Sequence, residues 1–196
     1  MNMVVENINK LVNERRFNTS DLFEYAEFAI LCVIAAGIPL ILRHPQLLVG
    51  VMVNFALMIT AVNVRGWKKV LPLIMLPSIA ATVGGFLFGS FTIYLVFLIP
   101  VIWIGNATLV FVIKYLYSVR QFSYLMVVPV ASVLKMMILY SVTFILVFIG
   151  VLPNMFLTAM GLMQMTTALV GGFIVYPVLL GYQHYFVPTS GNLNKI

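Results

Sequence analysis

Six runs of apolar residues, at about 26–42, 46–63, 70–88, 93–117, 124–150 and 155–182, alternate with short polar or helix-breaking stretches. Each is near or above the ~20 residues that a bilayer core requires. The pattern predicts an all-α polytopic membrane protein, a bundle of about six transmembrane helices. The first run is the shortest. Breaks fall at Arg43-His44-Pro45-Gln46, Arg65 to Lys69, Gly89-Ser90, Arg120 to Ser123 and Pro153-Asn154, where charge, proline or glycine interrupts the apolar pattern. The chain thus divides into an N-terminal segment (1–24), a transmembrane domain (25–183) and a C-terminal tail (184–196).

Ahead of the first run, Val4, Ile8, Leu11 and Val12 recur at helical spacing among Glu6, Asn7 and Lys10. Two readings stay open: an amphipathic helix lying on the membrane surface, or a frayed tail. Asn18-Thr19-Ser20-Asp21 then offers N-caps, and Glu24 stands in capping-box spacing from Asp21. Acids directly precede the first run and further spans follow it, so the N-terminus is expected to be retained rather than cleaved as a signal peptide.

Charge orients the bundle. Lys10, Arg15, Arg16, Arg65, Lys68, Lys69, Lys114, Arg120 and Lys195 fall in alternate connections, whereas the intervening loops carry Arg43 alone. By the positive-inside rule both termini are expected in the cytoplasm, with the protein in the cell membrane and the lipid bilayer as its first partner. Lys135 belongs to neither side.

Composition removes whole classes of function. With 63% hydrophobic and 8% charged residues the chain cannot be a water-soluble domain, and its net charge of +6 is scattered at the ends of apolar runs rather than gathered into a nucleic-acid patch. The one cysteine, Cys32, permits no intrachain disulfide and no Cys-ligated metal centre. All five carboxylates (Glu6, Glu14, Asp21, Glu24 and Glu27) lie in the first 27 residues. That leaves no acidic proton relay and no paired-carboxylate chemistry in the later spans. Phosphate-binding loops, Ser-His-Asp sets and HExxH are absent from the sequence, so the expectation is a non-enzyme without cofactor or metal.

What remains is a set of polar residues inside the apolar runs. Lys135 sits about midway along the fifth, where an uncompensated ammonium costs roughly 2.5–3.5 kcal/mol or more. It is either neutral, held by carbonyls and amides, or met by an anionic ligand. Asn54, Asn106 and Gln164 fall within a few residues of the same depth on three other spans. Each could be interhelical glue, but four polar groups at one level also fit a polar cavity. His44 and Gln46, in the first outward loop, are candidate ligand contacts, and Trp103 and Tyr140 face unknown directions. Pro39, Pro77, Pro100, Pro129 and Pro177 can kink five spans, and small pairs at four-residue spacing (Cys32/Ala36, Ala80/Gly84, Ala81/Gly85, Ala168/Gly172) permit close helix approach.

The runs His44 to Asn54, Leu76 to Gly85, Ile104 to Ala107 and Met163 to Gly172 resemble the substrate-binding S components of energy-coupling-factor vitamin transporters. They resemble more closely a group of S-component-like membrane proteins. The resemblance covers roughly residues 26 to 183. It implies a six-helix protein with both termini inside that binds a vitamin or similar small molecule through its first outward loop and later helices. ATP hydrolysis would come from separate ATPases through a transmembrane coupling protein. The alanine-xxx-alanine face that many such proteins carry on helix 1 is reduced here to Cys32-xxx-Ala36. Two other classes stay open: a membrane scaffold or assembly subunit whose polar residues lock the bundle, and a quinone-binding redox subunit.

Overall fold

The computed structural model describes residues 2–42 and 45–186, with side chains from Val5 onward. They form seven helical elements: α1 (Asn2–Asn13), α2 (Asp21–Ile41), α3 (Gln46–Asn63), α4 (Trp67–Gly84), α5 (Gly89–Val119), α6 (Tyr124–Phe148) and α7 (Met155–Tyr185). Of the breaks read from the sequence, Arg120 to Ser123 and Pro153-Asn154 fall between helices, whereas Gly89-Ser90 opens α5 as a 3-10 turn, Lys68 and Lys69 belong to the first turn of α4, and residues 43 and 44 lie outside the described residues. Ser20 caps α2, its Oγ accepting from Phe23 N at 3.3 Å. The expected Asp21–Glu24 capping box does not form, because the Glu24 carboxylate is drawn into ion pairs.

Five helices, α2, α3, α5, α6 and α7, are long and apolar enough to cross a membrane, which makes the chain a multi-pass helical membrane protein. The run expected at 70–88 is different. It folds as α4, which is not among the five because Lys68, Lys69, Pro72 and Pro77 dilute its 18 residues. Yet α4 extends along the whole bundle. Its first turn meets Glu24 through Lys69, and the strand of chain after it meets the start of α3, where Gln46 Nε2 donates to Leu87 O.

Close packing follows the small residues. A Cβ on Gly171 would lie 2.8 Å from Val51 O and 3.0 Å from Phe55 N, so α7 presses on the α3 backbone. A Cβ on Gly84 would lie 3.2 Å from Pro39 O and 3.1 Å from Leu40 O, so α4 packs closely on α2. Gly84, one of the small residues read at four-residue spacing, and Gly171, which was not among them, therefore serve packing within the bundle.

Proline and glycine shape the helices locally. Before Pro39, α2 opens into a π-helical turn at Val33–Gly37, and α5 ends in another at Lys114–Val119. In α7 the helix breaks at Gly161 (φ −97°, ψ −101°), whose Cα faces Leu157 O and the Tyr140 ring so closely that a side chain would not fit.

The N-terminal segment is neither a frayed tail nor a helix resting only on lipid. Val12, Arg16 and Phe17 are buried under the bundle, Gly66 N donates to Val12 O at 3.3 Å, and Trp67 Nε1 donates to Asn9 Oδ1 at 2.7 Å. Lys114, counted from sequence as a connection charge, is buried there too, its Nζ donating to Val64 O at 3.0 Å and to Glu14 O. Carbonyls left bare by the irregular chain at 14 and 64 explain why an ammonium is held inside this end.

Candidate functional site

Two apolar cores fill the bundle. The larger joins α2, α3, α4, α5, α6 and α7 toward the end that holds the N-terminal segment; the smaller gathers Ala81, Leu95, Leu98, Leu139, Leu152, Phe156 and Met160 toward the other. Between them lies a cavity of about 100 Å³, several water molecules' worth of space. All six long helices reach it. Pro39 comes from α2, Asn54 from α3, Ser78 from α4, Asn106 from α5, Lys135 from α6 and Gln164 from α7.

Lys135 is the centre of the polar wall. Its side chain is 2% exposed, and Nζ donates to Asn54 Oδ1 at 2.7 Å. Asn54 Nδ2 in turn donates to Thr167 Oγ1 at 3.1 Å and to Gly50 O at 2.9 Å, which fixes the amide so that its oxygen faces the lysine. Three helices are thereby tied together. Among the described residues this is the one hydrogen bond that Nζ makes, so its remaining donor capacity is left for whatever occupies the cavity. No carboxylate lines the cavity.

On the opposite side Asn106 Nδ2 donates to Ile74 O of α4 at 3.0 Å. Its Oδ1 has no partner among the described residues. Ser78 accepts from Trp103 Nε1 at 2.8 Å, which settles the direction of that indole. Gln164, half-buried after the Gly161 break, lines the cavity with its side-chain amide unbonded among the described residues. Apolar walls come from Val53, Ile102, Met160 and Met163, the methionines offering an adaptable surface.

Five of the six residues singled out from sequence, Gln46, Asn54, Asn106, Lys135 and Gln164, thus border one cavity. His44 lies outside the described residues. Gln46 stands at the rim, its bond to Leu87 O spanning the mouth between α3 and the loop after α4. Pro39 and Pro77 line the space, whereas Pro100, Pro129 and Pro177 do not. Tyr140 turns away, its ring against Gly161 and its edge exposed.

The chain matches no protein-family model, no curated protein and no solved structure. The site must therefore be read from its own chemistry.

Ser78 and Thr167 were missed by reading the sequence. Both also bond carbonyls of their own helices, Met75 O and Gln164 O, as helix hydroxyls commonly do, so their types carried no signal. Among the described residues no group of three His, Cys, Asp or Glu could hold a metal ion. Among the described residues the lining contains no carboxylate and no imidazole. The arrangement is suited to holding a ligand: donors at Lys135 and Gln164, an acceptor at Asn106, and an apolar body between them.

Proposed function

We propose that the chain is the substrate-binding subunit of a small-molecule uptake transporter in the cell membrane, taking a vitamin-like ligand with an anionic or strongly accepting group. Separate ATPases, acting through a transmembrane coupling protein, would energise it. One observation carries the reading: Lys135 Nζ, buried with a single hydrogen bond among the described residues, lines a cavity to which six helices contribute and no described residue brings a carboxylate. A ligand carboxylate or phosphate would supply the missing counter-charge through charge-assisted hydrogen bonds. A scaffold needs only polar groups that lock onto each other, and Gln164 and Asn106 Oδ1 do not. The sequence offers no phosphate loop and no acid beyond Glu27, so energy is assigned to partners.

In this reading α2 to α7 all cross the membrane and both termini are cytoplasmic. Support comes from the ion pairs of Arg15, Arg65 and Lys69 with Glu24, which put the N-terminal segment and the second connection at one end. That end carries most of the basic residues. Lys68 then sits at the interface, its stem reaching headgroup depth, while Lys69 turns to Glu24 and α4 spans with the apolar part that follows.

Native mass spectrometry of the protein released from its membranes tests the proposal. A retained small anion, displaced by unfolding, is expected, and co-purifying ATPases would support the coupled arrangement. A retained quinone would favour the redox alternative. A preparation that holds no ligand and takes up none from a metabolite extract overturns the binding reading.

A further inference from the structure

A second site stands apart from the Lys135 cavity, on the flank of the bundle between α2, α3 and α7. There a groove of about 210 Å³ is walled by Phe23, Ile30, Ile34, Phe55, Ile59 and Val178, with one acid among them, Glu27. The carboxyl is 8% exposed. Its Oε1 accepts from Asn63 Nδ2 at 3.1 Å and from Tyr182 Oη, while its buried Oε2 has no hydrogen-bond partner.

The contrast with the neighbouring acids is sharp. One turn earlier, Glu24 is met by Arg15, Arg65 and Lys69, and Asp21 by Arg65. Among the described residues no cation pairs with Glu27. A buried carboxylate held by two neutral donors is costly unless a cation reaches it. The protein concentrates its own cations on Glu24, and Glu27 lines the apolar groove with its unpartnered Oε2 buried beneath the surface.

We propose that this groove binds an amphiphilic amine, its ammonium on Glu27 Oε2 and its alkyl chain along α2 toward Ile34. Phe23 and Tyr182, with ring centroids 6.1 Å apart, stand beside the carboxyl and supply π faces that favour a cation. From residue 27 to residue 34 a helix rises about 10 Å, which suits a chain of about eight methylenes. The walls there are aliphatic. The site needs nothing from the cavity around Lys135, so either can fail without the other.

The test uses the full-length protein in a neutral maltoside detergent, titrated with decylammonium and followed by native mass spectrometry and thermal shift. One decylammonium per chain is expected, with a raised melting temperature, and decanol should be at least ten-fold weaker, roughly the effect of losing a charged hydrogen bond. Glu27→Gln keeps the shape of the acid and should weaken decylammonium about 30-fold or more. Ala26→Phe, which fills the groove and leaves the acid in place, should also abolish binding, and it serves where the Gln variant does not fold. Equal retention of decylammonium by wild type and either variant overturns the proposal, as does no binding or decanol binding equally well. In those cases Glu27 holds a proton and the groove is ordinary lipid-facing surface.

Discussion

Lys135 Nζ and Asn54 Oδ1 meet at 2.7 Å although 81 residues separate them in the chain. The contact turns an isolated intramembrane charge into one corner of a cavity. It also leaves the lysine with unused hydrogen-bonding capacity among the described residues, which is what the proposed binding role would draw on.

Replacing Lys135 by Met keeps the approximate volume and removes the buried amine, so the fold should survive. Ligand affinity should fall by roughly 2–5 kcal/mol, about 30-fold to several thousand-fold. Isothermal titration and a melting curve on the same sample check this. A changed melting temperature with unchanged affinity would reduce Lys135 to a structural residue.

Asn54→Leu removes the acceptor of the lysine and the donor to Thr167 together. Leaving a buried charged donor without its protein partner should cost roughly 1–3 kcal/mol of stability. The double variant with Lys135→Met should lose less than the two single losses combined, because the amine that needed Asn54 is gone. Strict additivity in chemical unfolding would show that the two residues do not act as a pair.

Gly171→Ala places a methyl against Val51 O and Phe55 N, backbone atoms that cannot rotate away. A loss of roughly 1–3 kcal/mol is expected as α3 and α7 are forced apart. Gly181→Ala, on the same helix with nothing within 4 Å, should be neutral or slightly stabilising. Comparable melting temperatures for the two would contradict the α3–α7 contact.

Glu24→Gln strips the buried acid from Arg15, Arg65 and Lys69. Three cations then share one neutral amide, and roughly 3–5 kcal/mol should be lost. Because Glu24 is buried, raising the salt concentration should barely reduce the difference between variant and wild type. A difference that vanishes in high salt would mean the cluster is exposed in solution.

Orientation is open to labelling. In a Cys32→Ser background, a cysteine at position 68 should react with an impermeant maleimide only after cells are opened, and one at position 90 in intact cells. The reverse pattern would invert the topology.

The sequence by itself determined the helical class, several of the breaks between helices and five of the polar residues that border the cavity, because apolar runs of bilayer length and the breaks between them are local properties of the chain. It also found the common level of Asn54, Asn106, Lys135 and Gln164, since residues near the middle of successive spans lie at similar depth. Which way each side chain points was not local. Helix rotation is set by packing, here by Gly171 on α3 and Gly84 on α2, and that packing turned the polar residues onto one cavity. The same tertiary contacts recruited Thr167 and Ser78, buried Lys114 against carbonyls at 14 and 64, and left Glu27 without a cation among the described residues. Each depends on groups far apart in the chain brought within hydrogen-bond reach, or kept from it, and no spacing along one helix encodes that.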